Sequence, residues 1–255
     1  MTAHEVAKLD IAGDAQNPDI CALDLSMFDR ADFLNMLLQR SETLFDVDQA
    51  GRVIKAWGKG NSGPIDAQID RLGDEIARRT AAVVLGEYRP MQATVSGLKP
   101  KRVADIGCGY AIWDLFAHRD TGCDIVLIDI EENEHRHFGY AEEGAAYTSL
   151  GKARDFLIAN GVPAKKVLTI NPKTDALSKA GKIDLAVSFV SCGFHYPVST
   201  YATFFRDQVA KDGAVLIDLR LSSIEPQVWE LAAMGPIDLI AGHPKARRVL
   251  LRKGG

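Results

Sequence analysis

The chain has 255 residues, enough for one large α/β domain or a domain with an appendage, and its 47% apolar and 25% charged residues are ordinary for a folded globular protein. A formal charge of -4 leaves no overall basic field to steer it onto phosphate backbones, so nucleic acid is a poor expectation, and no run approaches the roughly 18 consecutive apolar residues of a membrane span. Cys21, Cys108, Cys123 and Cys192 are scattered without a CxxC pair, which argues for free thiols over a zinc knuckle or a disulfide framework.

Residues 1–26 are polar, mixed in charge and weakly periodic, and read as a loose tail without the apolar stretch of a secretory signal; the expected compartment is cytoplasmic. Residues 27–100 read as a helical extension. A helix is expected from Asp29, with Phe33, Met36 and Leu37 on one side, and "GKGNSGP" from Gly58 to Pro64 reads as a break. A second helix follows to Gly86, with Ile65, Ile69, Leu72, Ile76 and Val83 along one docking stripe. Trp57 and this helix suit a lid, a structural flank or an oligomer contact, and Arg78 and Arg79 suit a solvated face.

From residue 101 to 255 short β-rich runs alternate with helical segments, the pattern of a doubly wound, mostly parallel sheet. Strands are expected near 102–106, 124–129, 166–170, 183–189 and 214–219, and helices near 110–118, 143–160, 198–210 and 224–234. The closing "GPIDLIAGHPKARRVLLRK" holds two β-prone runs joined by too short a turn for a crossover, so an antiparallel hairpin completes a seven-stranded sheet.

The stretch "RVADIGCGYAIWDLF", from Arg102 to Phe116, is a strand that stops at Gly107 and Gly109 and feeds a helix, which puts bare backbone at the carboxyl edge of the sheet, where open α/β folds bind ligands. Further on, "CDIVLIDI" ends its strand at Asp129, placed to accept hydrogen bonds from two ribose hydroxyls. A dinucleotide site would want glycine where Ile112 stands, and Asp105 beside the turn would repel a pyrophosphate but engage a cationic ligand.

The motif "DIGCGYA" resembles the first motif of class I S-adenosylmethionine-dependent methyltransferases, an acidic and a hydrophobic residue followed by GxGxG, with Ala111 for the third glycine; the resemblance covers residues 101–252. It implies S-adenosyl-L-methionine as cofactor, methionine-side contacts around Asp105, Gly107, Cys108 and Gly109, ribose contacts on Asp129, and adenine contacts after the third strand at Asp175 and Ala176, with Asn171 as the rival there. The segments around "HFGYAEEGAAYTSLGKARDFLIANGV" and "SFVSCGFHYP" further resemble bacterial sugar O-methyltransferases, which implies a small-molecule hydroxyl as acceptor.

After the fourth strand there is neither the Asn/Asp-Pro-Pro-aromatic motif of nucleic-acid amino-methylating enzymes nor the acid of metal-dependent catechol-type enzymes. His195 remains as a general base for a substrate hydroxyl or as a positioning group, and Tyr196 as a wall of the substrate site. Glu131, Glu132, Glu134, His135 and His137 are too irregularly spaced for a metal set, so no metal is expected. The alternatives are a small-molecule N-methyltransferase and a non-catalytic nucleoside-binding module.

Overall fold

Alternation along the strands decides how the two faces of the sheet are covered, and β1 (Arg102–Ile106) shows it most simply. Val103 packs with the N-terminal helices, whereas Ala104 and Ile106 pack with the helices of the other face. The protein is described here from a computed structural model, in which residues 9–131, 149–243 and 245–254 are defined.

Among the described residues six α-helices precede the sheet: α1 (Ile11–Ala15), α2 (Pro18–Cys21), α3 (Arg30–Gln39), α4 (Ala50–Trp57), α5 (Gly63–Leu72) and α6 (Glu75–Leu98). After β1 come α7 (Ile112–Thr121), β2 (Asp124–Ile128), α8 (Leu150–Ala159), β3 (Val167–Ile170), β4 (Ile183–Ser188) and β5 (Ser191–Tyr196). The chain closes with α9 (Ala202–Asp207), β6 (Val209–Arg220), α10 (Ile224–Ala232), β7 (Ile237–His243) and β8 (Ala246–Arg252).

The sheet has seven strands in the order β3-β2-β1-β4-β6-β8-β7. The pairs from β3 through β6 are parallel, and β8 runs antiparallel to both β6 and β7, so the architecture is the expected doubly wound, mostly parallel sheet with an antiparallel C-terminal hairpin. From β1 the chain moves outward to β2 and β3 and then returns to the other side of β1 at β4, so the strand order reverses between β1 and β4. That reversal opens the crevice in which such sheets bind ligands. None of the described helices is long and apolar enough to cross a membrane.

Four local expectations need correction. Residues 9–26 are not a loose tail: Asp10 and Asn17 cap α1 and α2, and Ile11, Ile20, Leu23 and Leu25 are buried. The helix expected to run unbroken from Pro64 to Gly86 divides at Gly73, whose φ of 53° ends α5. Beyond it, α6 runs through Pro90 to Leu98, because Tyr88, Met91 and Val95 bury against the core while Pro90 faces solvent. Finally, the segment after β4 is the strand β5, packed along β6 outside the seven-stranded ladder.

Arg78 and Arg79 are also not a solvated face. Arg79 is 8% exposed, pairs with Asp46 at 2.8 Å and Glu75 at 3.3 Å, and stacks over Phe45; Arg78 donates to the Cys21 carbonyl. They fasten α6 to the preceding helices. Trp57 ends α4 packed against the same core.

Candidate functional site

The glycine turn sits at the reversal of strand order, between β1 and α7. Gly107 donates its amide to the Ile128 carbonyl at 2.7 Å, which ties the turn to the end of β2. Gly107, Gly109 and Ala111 have φ of 77°, 57° and 58°, a left-handed succession that turns the chain sharply into α7. Glycine enters this region freely, whereas Ala111 costs about 1–2 kcal/mol there, which rationalises a small residue at that position.

What approaches the bare backbone of Gly107 is Ser191. A Cβ at Gly107 would lie 2.0 Å from Ser191 Oγ and 2.5 Å from its Cβ. The close approach expected of a ligand at this atom is therefore already made by a protein side chain. Ser191 follows Val190, a β-branched residue at a φ of 52°, so the β4–β5 turn holds strain where it folds over the glycine turn. Ser191 Oγ also hydrogen-bonds the Tyr196 hydroxyl at 2.8 Å, which brings Tyr196 to the same place.

Asp129 follows β2 and reaches back to the turn, accepting from the Gly109 amide at 3.2 Å and from the Glu131 amide at 3.1 Å. Its charge is felt by Cys108, Tyr196 and Tyr201; burial pushes each of these groups up, and Asp129 adds to the effect. The Cys108 thiol is buried within the turn and is held protonated by burial and by Asp129, Asp105 and Asp114.

Asp105 and Asp114 form the polar heart of the site. Asp105 occupies the face of β1 that also carries Val103, and Asp114 lies in the first turn of α7; they are 4% and 0% exposed. Asp105 Oδ1 and both carboxylate oxygens of Asp114 have no donor among the described residues. Burial, and then the facing Asp114, drive Asp105 far above the ordinary carboxylate range; burial raises Asp114 as well. Two facing carboxylates are acceptors only, and they become hydrogen-bonded once one of them holds a proton.

After β3, Asp175 accepts from the Asn171 amide at 3.1 Å and pairs with Lys179 at 2.5 Å; the Lys179 hydrogen bond, followed by the Asn171 amide, lowers its pKa. Ala176 is exposed beside it. Asn171 turns the other way, giving its side-chain amide to Glu131 Oε2 at 3.1 Å, while Glu131 Oε1 takes the Leu150 amide at 3.0 Å. Asn171 is thus the residue of this turn joined to the end of β2, and Glu131 serves as a brace. Glu132, Glu134, His135 and His137 lie outside the described residues, and among those described no group of His, Cys, Asp and Glu is arranged to hold a metal.

His195 is half-buried on β5, between Phe194 and Tyr196, with its ring edge-on to Phe194 at 5.2 Å. It therefore stands on a strand, not in the loop expected after the fourth strand. Sequence reasoning passed over Asp114, because an acid in a first helical turn ordinarily complements the helix dipole. It also passed over Tyr110, whose hydroxyl bonds Asp32 of α3 at 3.0 Å and so couples the N-terminal helices to the glycine turn.

No family model matches the sequence, and no curated protein matches it. Among solved structures, the chain is similar to ribosomal protein L11 methylase from Lactobacillus delbrueckii subsp. bulgaricus, at 19% identity and a TM-score of 0.44 over 64% of this chain and 79% of that one. It is similar to the O-methyltransferase TomG from Streptomyces achromogenes, solved with its cofactor, at 13% identity and a TM-score of 0.47 over 66% and 80% of the two chains. It is also similar to precorrin-6y C5,15-methyltransferase from Geobacter metallireducens, at 14% identity and a TM-score of 0.46 over 64% and 87%.

Proposed function

We propose that the protein is an S-adenosyl-L-methionine-dependent methyltransferase acting on a hydroxyl of a small molecule, a sugar or sugar-containing metabolite. The observation that carries this reading is the acid cluster at the glycine turn. Asp105, Asp114 and Asp129 converge where the strand order reverses, and no described lysine or arginine enters the balance that raises Asp105 and Asp114. A pyrophosphate would be repelled there. A nucleoside with a sulfonium and an ammonium group suits the buried acceptors, so the residues fit the cofactor.

Asp105 and the backbone of Gly107, Cys108 and Gly109 would hold its methionine end, Asp129 its ribose, and Asn171 with the Asp175–Ala176 segment its adenine. When bound, S-adenosyl-L-methionine supplies a methyl group activated by the sulfonium. The chain's own work is to align an acceptor oxygen with that methyl group, exclude water, and remove the acceptor's proton. His195 takes the proton at an imidazole nitrogen, and Tyr196 walls the acceptor.

Incubation with methyl-labelled S-adenosyl-L-methionine and extracts of the source cell, followed by mass identification of the labelled product, tests the reading. A labelled hydroxyl supports it. A labelled amine replaces it with N-methyl transfer, and cofactor binding without any labelled product over a broad acceptor panel replaces it with a nucleoside-binding module.

A further inference from the structure

We propose that Asp114 is a positioning residue which, by sharing one proton with Asp105, makes cation recognition in the nucleoside cradle proton-coupled: the pair holds that proton in the free protein and releases it to solvent when a ligand cation takes over its neutralising role. The inference rests on the methyltransferase reading given above.

The geometry is specific. Asp105 and Asp114 are almost fully buried, and three of their four carboxylate oxygens have no donor among the described residues. A pair kept only for stability would be satisfied by amides, hydroxyls or an arginine, because a buried acceptor left without a donor is costly. Asp218 shows that alternative in the same sheet: it is equally buried but is gripped by Arg248 through two bonds of 2.8 Å. Among the described residues no arginine or lysine grips Asp105 or Asp114 in that way.

Among the described residues, the groups packed around the pair do not supply the missing positive charge. Asp129, from the end of β2, repels a second negative charge on the pair, while the thiols of Cys108 and of Cys123, before β2, are pushed up by burial and stay neutral. From α6, Tyr88 gives its hydroxyl to Asp120 at 2.6 Å. From α8, Lys152 is taken by Asp29 and Asp32 of the N-terminal helices. From β4, Ser188 is uncharged and donates to the Ile106 carbonyl at 2.8 Å. Two adjacent ionised carboxylates in such a place repel each other strongly, so the pair keeps one proton near neutrality.

The balance is simple. Before binding the pair carries one negative charge and one proton; afterwards it carries two negative charges, offset by the ligand's cationic group, and the proton has passed to buffer. Asp114 governs this exchange through Asp105, the carboxyl it faces. The coupling predicts that affinity rises by up to about tenfold per pH unit over the range in which the pair retains its proton.

Calorimetric titration of the full chain with S-adenosyl-L-methionine, in buffers of different ionisation enthalpy and between pH 6 and pH 8, tests this. The expected result is net release of up to about one proton per ligand in the wild type, and no buffer dependence with a flat pH profile in Asp114→Asn, where the side-chain amide donates to an ionised Asp105. Binding by the wild type without proton release, or unchanged release by Asp114→Asn, overturns the inference and leaves the methyltransferase reading standing. No binding at any pH removes both. Should Asp114→Asn not fold, the wild-type heats decide alone.

Discussion

Ser191 lies against Gly107 so closely that no side chain fits between them: an added Cβ would meet Ser191 Oγ at 2.0 Å. Gly107→Ala is therefore expected to destabilise the fold by about 2–4 kcal/mol, combining left-handed strain with overpacking. In urea unfolding, Gly107→Ala/Ser191→Gly should recover the overpacking share, leaving about 1–2 kcal/mol of backbone cost. A double variant no better than Gly107→Ala would show that Ser191 yields at no cost.

Asp129 bridges the turn and the chain after β2 through the Gly109 and Glu131 amides. Replacing it with alanine should weaken binding of S-adenosyl-L-methionine by about 1–3 kcal/mol, the worth of a small set of hydrogen bonds to a charged acceptor. Calorimetry at a temperature where melting shows the variant folded is the measurement, and unchanged affinity would move Asp129 out of the binding site.

His195→Ala should keep cofactor affinity and lower turnover by about 10²–10⁴-fold on a hydroxyl acceptor, the range of a positioned proton acceptor. Wild-type turnover should rise with pH through one ionisation that the variant lacks. Near-normal turnover by His195→Ala would leave His195 a packing partner of Phe194 on β5.

Asp46 accepts hydrogen bonds from Arg71 and Arg79, which lower its pKa below the usual carboxylate range. A depressed folded value means that its stabilisation is present above the unfolded value of about 4 and is lost as pH falls below it. Asp46→Asn should cost about 1–3 kcal/mol near neutrality, discounted for partial exposure, because Arg79 keeps only Glu75 as a carboxylate partner. The deficit should shrink as pH falls from about 4 towards the depressed folded value, and an equal deficit at pH 7 and pH 2 in denaturant titrations would assign it to packing.

The strands of the sheet were legible because each is a short β-branched or aliphatic run bounded by glycine, proline or acids, and the crossovers between β1 and β4 leave few topologies open. The glycine turn and Asp129 were legible for the same local reasons. Val190, Ser191 and Tyr196 were not, since β5 forms only because β6 extends beyond the end of β4 and offers it a packing edge. The Asp105–Asp114 pair was hidden because an acid on a strand and an acid on a helix show no joint periodicity. The order in residues 9–26 was hidden because acids and other polar residues interrupt its apolar ones without a sustained helical period, and only tertiary burial of Ile11 and Ile20 reveals what the Asp10 and Asn17 caps hold in place.

Asp24 and Asn160 clasp each other through two 2.9 Å bonds, Asp24 amide to Asn160 Oδ1 and Asn160 Nδ2 to the Asp24 carbonyl, across 136 residues of sequence. On a ribosome the first partner emerges long before the second. At about 5–20 residues per second, the N-terminal segment waits on the order of ten seconds before α8 has been made. Through that interval Ile20, Leu23, Leu25 and Phe28, all buried in the finished molecule, lack part of their cover. A nascent chain of this protein thus carries that apolar set incompletely covered until α8 has been made.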